Sequence, residues 1–292
     1  MGKGSPPVVL EAGAGDGTGV WRQVQGEIAK FTKVCAYDRA GYGWSDPISR
    51  SSDARNAVAD LHTLLQRARL RAPIVLVGHS VGGLYTQLFA ATYPGQIAGM
   101  VLVDPTGLDD FRLVAEIITD QERLQQREGY VKRIASYALC LDRDRRGVPL
   151  GPAGSECAPP ATGDAVMDKL VRLEYAQPKY YEAYQSEMTN FFPSDYPMGS
   201  ESVITGQVRE HPLDLGRKPL ILLMSPGKVP PGERGERLRA ASTAAAQKLV
   251  AASTRGRLVQ VVSGHYIHVE HPEVVIDAVR QVVDEARATE GH

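Results

Sequence analysis

The sequence contains no apolar run of about 18 residues or more, so no segment reads as a membrane-spanning helix. It has no excess of either charge. Thirty-three Lys and Arg face 34 Asp and Glu, a net charge of −1, which gives no electrostatic case for nucleic acid or an acidic membrane surface. Three cysteines are too few for a disulfide scaffold. No internal repeat is visible, and the opening Met1–Pro7 is not the apolar stretch of a signal peptide. The glycines at 13, 15, 17 and 19 do not fit the spacing of a dinucleotide fingerprint, and no Lys-Ser/Thr follows them as in a phosphate-binding loop. What is left is a chain of 292 residues, 43% hydrophobic and 23% charged, which is long enough for one large core with an inserted subdomain.

The chain is organised around Ile74–Val77 followed by Gly78-His79-Ser80-Val81-Gly82. A buried strand, Gly-x-Ser-x-Gly, and an amphipathic run from Leu84 to Tyr93 form the strand–turn–helix context of a nucleophile elbow. A capping serine in an ordinary turn is the alternative. Before this lie a strand at Val8–Leu10, the glycine loop Glu11–Gly17, a helix over Trp21–Phe31 and a strand over Lys33–Tyr37. Asp38-Arg39-Ala40-Gly41-Tyr42-Gly43-Trp44-Ser45 then reads as a loop that Asp38 and Arg39 shape. Ser52 and Asp53 are placed to cap a helix over about Ala54–Arg69. After the serine come a helix to Tyr93 and a strand at Gly99–Val103 that ends in Asp104.

Alternating strands and helices predict a mostly parallel, doubly wound α/β sheet, with function at the carboxyl ends of its strands. From 106 to 217 the pattern changes to helices over Leu108–Tyr137 and Asp164–Phe192, with a loop-like Leu139–Thr162 between them. This stretch is expected to form a helical cap over a core made of 1–105 and 218–292. It holds most of the tyrosines, which suit both a packed contact and a pocket wall. The core resumes with a strand at Pro219–Met224, a loop at Ser225–Glu236, a helix at Leu238–Ala252 and a strand at Leu258–Val262. The sequence Ser263-Gly264-His265 follows, with a closing helix over Glu273–Ala286.

A serine hydroxyl needs an adjacent base, most often histidine. His265, just past the last strand, lies at the same sheet edge as Ser80. His268 and His271 compete for the role. The three together also raise a zinc reading, but the spacing lacks the i, i+4 pair with an intervening glutamate. The acid that orients the histidine must stand at a strand end near Ser80, and Asp104 does. The alternative is that it only shapes the Asp104-Pro105 turn. Cys140 and Cys157 flank the loop-like stretch. A disulfide there would point to an oxidising compartment; two free thiols in a cytosolic protein is the other reading.

These motifs resemble the α/β-hydrolase superfamily: Gly13-Ala14-Gly15 after a strand, Asp38–Ser45, Gly78–Gly82 and Gly264-His265, in that order. The resemblance implies Ser80 as nucleophile and His265 as base. It also implies an oxyanion hole from the backbone N–H groups of Ala14 and Val81, with no cofactor and no metal. There are three departures. Ala12 stands where the loop usually has histidine. No antiparallel hairpin precedes Val8, as expected of a chain shortened at its start, a leader included. The loop that commonly carries the acid has Lys228 there. The expectation is a serine carboxylesterase acting on a small-molecule ester. Its alternatives are a peptidase or amidase, whose amine would be held by Glu174, Glu182 or Glu187, and a non-catalytic ligand receptor.

Overall fold

The computed structural model describes residues 1–149, 151–159, 161, 163–197, 201–226 and 231–290. The first half alternates β1 (Val8–Glu11), α1 (Arg22–Ile28), β2 (Val34–Ala36), α2 (Ala54–Arg67), β3 (Ile74–His79), α3 (Val81–Thr92) and β4 (Ile97–Val103). Helices α4 (Asp110–Ile117), α5 (Asp120–Arg145), α6 (Ala165–Tyr175), α7 (Pro178–Phe191) and α8 (Val203–Arg209) intervene before β5 (Leu220–Met224). The chain closes with α9 (Glu233–Val250), β6 (Gly256–Gln260), α10 (Ile267–Glu270) and α11 (Pro272–Glu290).

The six strands form one open sheet in the order β2-β1-β3-β4-β5-β6, and every pairing is parallel. Among the described residues no antiparallel hairpin precedes β1. The strands are covered on both sides, so their side chains divide by parity. Val9, Leu76, Met100, Leu102, Leu220 and Leu222 pack with α2, α3, α8 and α9. Val8, Leu10, Val75, Val77, Val101, Val103, Ile221 and Leu223 pack with α1, α10 and α11. Strand order reverses between β1 and β3, the crevice where open α/β sheets place their ligands. The glycine loop leaves β1 there, and Ser80 leaves β3.

Local rules account for most boundaries. Asp53 caps α2, its carboxylate accepting from the Asn56 N–H at 3.0 Å. Gly82 has no room for a side chain: a Cβ there would stand 2.4 Å from the Ala12 carbonyl oxygen, so β1 and α3 touch only because it is glycine.

Two expectations fail. Part of the loop expected over Leu139–Thr162 is helix, because α5 runs on to Arg145. Of the charged run 142–146, Asp142 and Arg146 stand i, i+4, and Arg146 meets Asp142 at 2.6 Å. Leu150, Pro160 and Thr162 lie outside the described residues. Likewise α9 begins at Glu233, inside the expected loop Ser225–Glu236, and Lys228 lies outside the described residues. A disulfide joins Cys140 near the end of α5 to Cys157, with Cα atoms 5.4 Å apart. It packs against Tyr42, Tyr180 and Tyr181, and the Tyr181 hydroxyl donates to the Cys157 carbonyl at 2.7 Å.

Candidate active site

Ser80 stands on a sharp bend between β3 and α3, with φ +53° and ψ −125°. Few side chains adopt such a backbone, and the strain persists because both flanks are pinned. The Ser80 N–H donates to the Val103 carbonyl at 3.2 Å, and its own carbonyl accepts from Gly83 and Thr106. Ser80 is thereby tied to the end of β4, where Asp104 is itself at φ +42°. The Asp104 carboxylate turns toward the loop after β6. Its Oδ2 lies 2.6 Å from His265 Nδ1, and its Oδ1 accepts from the Ser225 N–H at 2.8 Å. A carboxylate accepting at Nδ1 leaves Nε2 without its proton, free to take one. The structure thus brings Asp104 and His265 together. Among the described residues no hydrogen bond joins the Ser80 hydroxyl to His265. Such contacts commonly tighten only with substrate in place.

Two supports of His265 were not visible in the sequence. Gly264 donates to Glu270 Oε2 at 2.8 Å, and a Cβ on Gly264 would collide with that carboxylate at 2.3 Å. His79 is 1% exposed, and its Nε2 lies 3.0 Å from the His265 carbonyl, to which it donates. Burial, with His268 and His265 nearby, holds the His79 pKa well below the usual value, so the ring is neutral. The signal available was a histidine at the last position of a fully buried strand, which must find a partner. The competing histidines part company. His268 is fully buried between Trp21 and His79, and burial pushes its pKa down to about 3. His271 faces Glu273 at 3.4 Å.

On the opposite wall, residues 13–15 run past the start of α3. Among the described residues neither the Ala14 N–H nor that of Val81, the first residue of α3, has an acceptor. Asp16 follows the loop and is largely buried. Burial pushes its pKa up to about 7 against the pull of Arg39. The Tyr266 hydroxyl donates to it at 3.4 Å. A cavity of 540 Å³ opens beside Asp104 and His265. Its apolar wall includes Leu213, Leu222, Met224, Ala246 and Leu249. Among the described residues no group of three or more His, Cys, Asp or Glu is arranged to hold a metal, and no helix is long and apolar enough to cross a membrane.

The model of the Alpha/beta hydrolase family matches residues 8–278. The chain belongs to this family. The chain is 35% identical over 104 residues to the uncharacterized protein YqjL of Bacillus subtilis, covering 36% of this chain and 41% of that one. It is 28% identical over 120 residues to a 1-acylglycerol-3-phosphate O-acyltransferase of Sus scrofa, covering 40% and 33%. The matches thus span less than half the length of either relative. Among solved structures, a haloalkane dehalogenase from Bradyrhizobium elkani superposes with TM-score 0.70 at 19% identity, over 99% of this chain and 94% of that one. A probable hydrolytic enzyme from Pseudomonas aeruginosa does so with TM-score 0.62 at 18% identity, over 97% and 86%. At such identities these two establish a shared fold.

Proposed function

We propose that this α/β hydrolase cleaves a carboxylic ester through an acyl-enzyme on Ser80, with residues 106–217 as a cap over the strand ends. The observation that carries the reading is the 2.6 Å contact of His265 Nδ1 with Asp104 beside the strained turn at Ser80. Ser80 Oγ attacks the carbonyl carbon, and its proton passes to His265 Nε2. Asp104 stabilises the imidazolium through Nδ1–H. Negative charge forms on the former carbonyl oxygen, which the Ala14 and Val81 N–H groups receive. The tetrahedral adduct then breaks its bond to the alcohol oxygen, which leaves with the proton from His265. Water then attacks the acyl carbon, losing a proton to His265; the bond to Ser80 Oγ breaks, Oγ regains the proton from His265, and the carboxylic acid departs. The 540 Å³ cavity suits an apolar portion of the ester. The chemistry uses no cofactor.

The amine-binding carboxylates of the peptidase alternative are mostly spent elsewhere. Glu187 accepts three hydrogen bonds and pairs with Arg39, and Glu182 pairs with Arg145. Burial and the nearby Asp38 push the Glu174 pKa up to about 7, which weakens its hold on an ammonium group.

The test is turnover of p-nitrophenyl esters of increasing acyl length. Ser80→Ala should lower kcat by a factor on the order of 10⁵–10⁶ while the melting temperature stays near that of the wild type. A Ser80→Ala rate within about threefold of wild type would refute the nucleophile assignment. A wild-type protein that binds esters without turning them over would favour the receptor.

A further inference from the structure

Between the oxyanion loop and the helical insertion lies a buried cluster that the mechanism does not use. Arg39, after β2, is 8% exposed at its side chain, and Glu187, on α7, is 1% exposed. Much of their hydrogen bonding falls on one short stretch of chain. Arg39 Nη1 donates to Glu11 Oε1 at 2.7 Å and to the Ala12 carbonyl at 2.8 Å. Its Nη2 donates to the Gly13 carbonyl at 2.7 Å and lies 2.9 Å from Glu187 Oε1. The two terminal nitrogens thus make three hydrogen bonds and one ion pair.

Glu187 completes the arrangement from the other side. Its Oε1 pairs with the Arg39 guanidinium and accepts from the Tyr85 hydroxyl, each at 2.9 Å. Its Oε2 accepts from the Tyr42 hydroxyl at 2.7 Å and from the Gly15 N–H at 3.0 Å. Three hydrogen bonds and one ion pair thus hold a single carboxylate.

Ala14 sits between these two anchors. The carbonyl before it is held by Arg39, and the N–H after it is held by Glu187. With both neighbouring peptide groups fixed, the direction of the Ala14 N–H is set without any bond to Ala14 itself. We infer that Glu187 and Arg39 are positioning residues for the reaction: they aim the Ala14 N–H at the developing oxyanion, and the insertion supplies one of the two through α7. This inference rests on the serine-hydrolase reading. It goes beyond it in making the insertion part of the oxyanion hole rather than only a cover.

The geometry requires an acceptor on both carboxylate oxygens. Glu187→Gln keeps the size of the side chain but replaces one acceptor with an NH₂ group, which has nothing to offer either Gly15 or Arg39. Glu187→Asp keeps the charge and withdraws it by one methylene. The experiment uses the full chain and p-nitrophenyl butyrate. Active sites are counted from the initial burst, and the affinity of a trifluoromethyl ketone is measured in parallel. Glu187→Gln is expected to lower kcat per active site by about 10–100-fold with KM within about threefold of wild type. Affinity for the ketone, which forms an oxyanion adduct, should fall by the same factor as kcat/KM. Glu187→Asp should give an intermediate loss of the same kind.

A folded variant of either type with wild-type kcat per active site overturns the inference. So does failure of both variants to fold, or a loss confined to the number of active sites, since either makes Glu187 a residue of the fold alone. Activity that survives Ser80→Ala instead overturns the hydrolase reading, so the two failures are told apart.

Discussion

Two carboxylates at this site are served in opposite ways. Asp104 accepts one backbone N–H and one histidine nitrogen, and its histidine partner is 49% exposed at the side chain. Glu187 accepts three hydrogen bonds, pairs with Arg39 and is 1% exposed. The difference follows from the work proposed for each. A group that helps move a proton must see a partner whose charge changes, so it sits at the edge of the solvent with unspent capacity. A group that only holds backbone in place is best buried and saturated, because an unspent lone pair there would cost free energy and allow an alternative geometry. Damage to the first should therefore appear in rate alone, and damage to the second in both rate and stability.

The sharpest test of that division is Asp104→Asn. It should fold normally, leave the imidazole in the wrong tautomer and lower kcat by a factor on the order of 10⁴. Glu233→Gln, at the start of α9, serves as the control with unchanged kcat. A working Asp104→Asn variant would erase the contrast. Next in size is Arg39→Met, which removes the one cation shared by Glu11 and Glu187. Breaking a buried ion pair at one partner costs about 3–5 kcal/mol, which a denaturant titration measures. A shift below about 1 kcal/mol would mean that the buried charges relax into water.

The smallest effect concerns Asp16, which lies between the two regimes. Its folded pKa, raised to about 7 by burial, exceeds the ordinary 3.8. Between those values the folded chain keeps a proton that the unfolded chain has lost. Stability therefore falls as pH rises through about 4 to 7 and levels off above that. Asp16→Asn should remove part of this slope. In thermal melts the variant should gain on the order of 2–4 °C relative to wild type at pH 8 compared with pH 4. Glu174, raised in the same direction, leaves some slope behind. A variant with the full wild-type slope would show that Asp16 is hydrated.

The legible part of this molecule is the part written in short-range pattern. The β-branched run before Ser80, the cap at Asp53 and the strand ending in Asp104 each depend on neighbours a few positions away. Asp104 and His265 were separately placed at the same sheet edge, because strand ends of a parallel sheet converge there; their contact follows from that. Glu187 was not legible in its observed role. It was read as a carboxylate free for an amine, and what occupies it comes from Arg39, Tyr42, Tyr85 and Gly15, all on the other side of a long insertion. Arg39 was read as shaping its own loop; the backbone it holds is instead that of Ala12 and Gly13, which depends on how β1 and β2 pair. The last turn of α5 was missed because a charged run beside prolines and glycines looks like a loop until its i, i+4 spacing is laid on a helix.

The bond from the Gly15 N–H to Glu187 spans 172 positions, and that from His265 to Asp104 spans 161. Synthesis proceeds from the N-terminus at about 5–20 residues per second. A chain that has just completed the Ser80 turn therefore carries its nucleophile for several seconds or more with neither base nor anchored oxyanion loop. The first to arrive is α7, and the base comes only near the end. On the proposed mechanism an unfinished copy that has not reached His265 is chemically inert, and competence to hydrolyse is acquired late in synthesis.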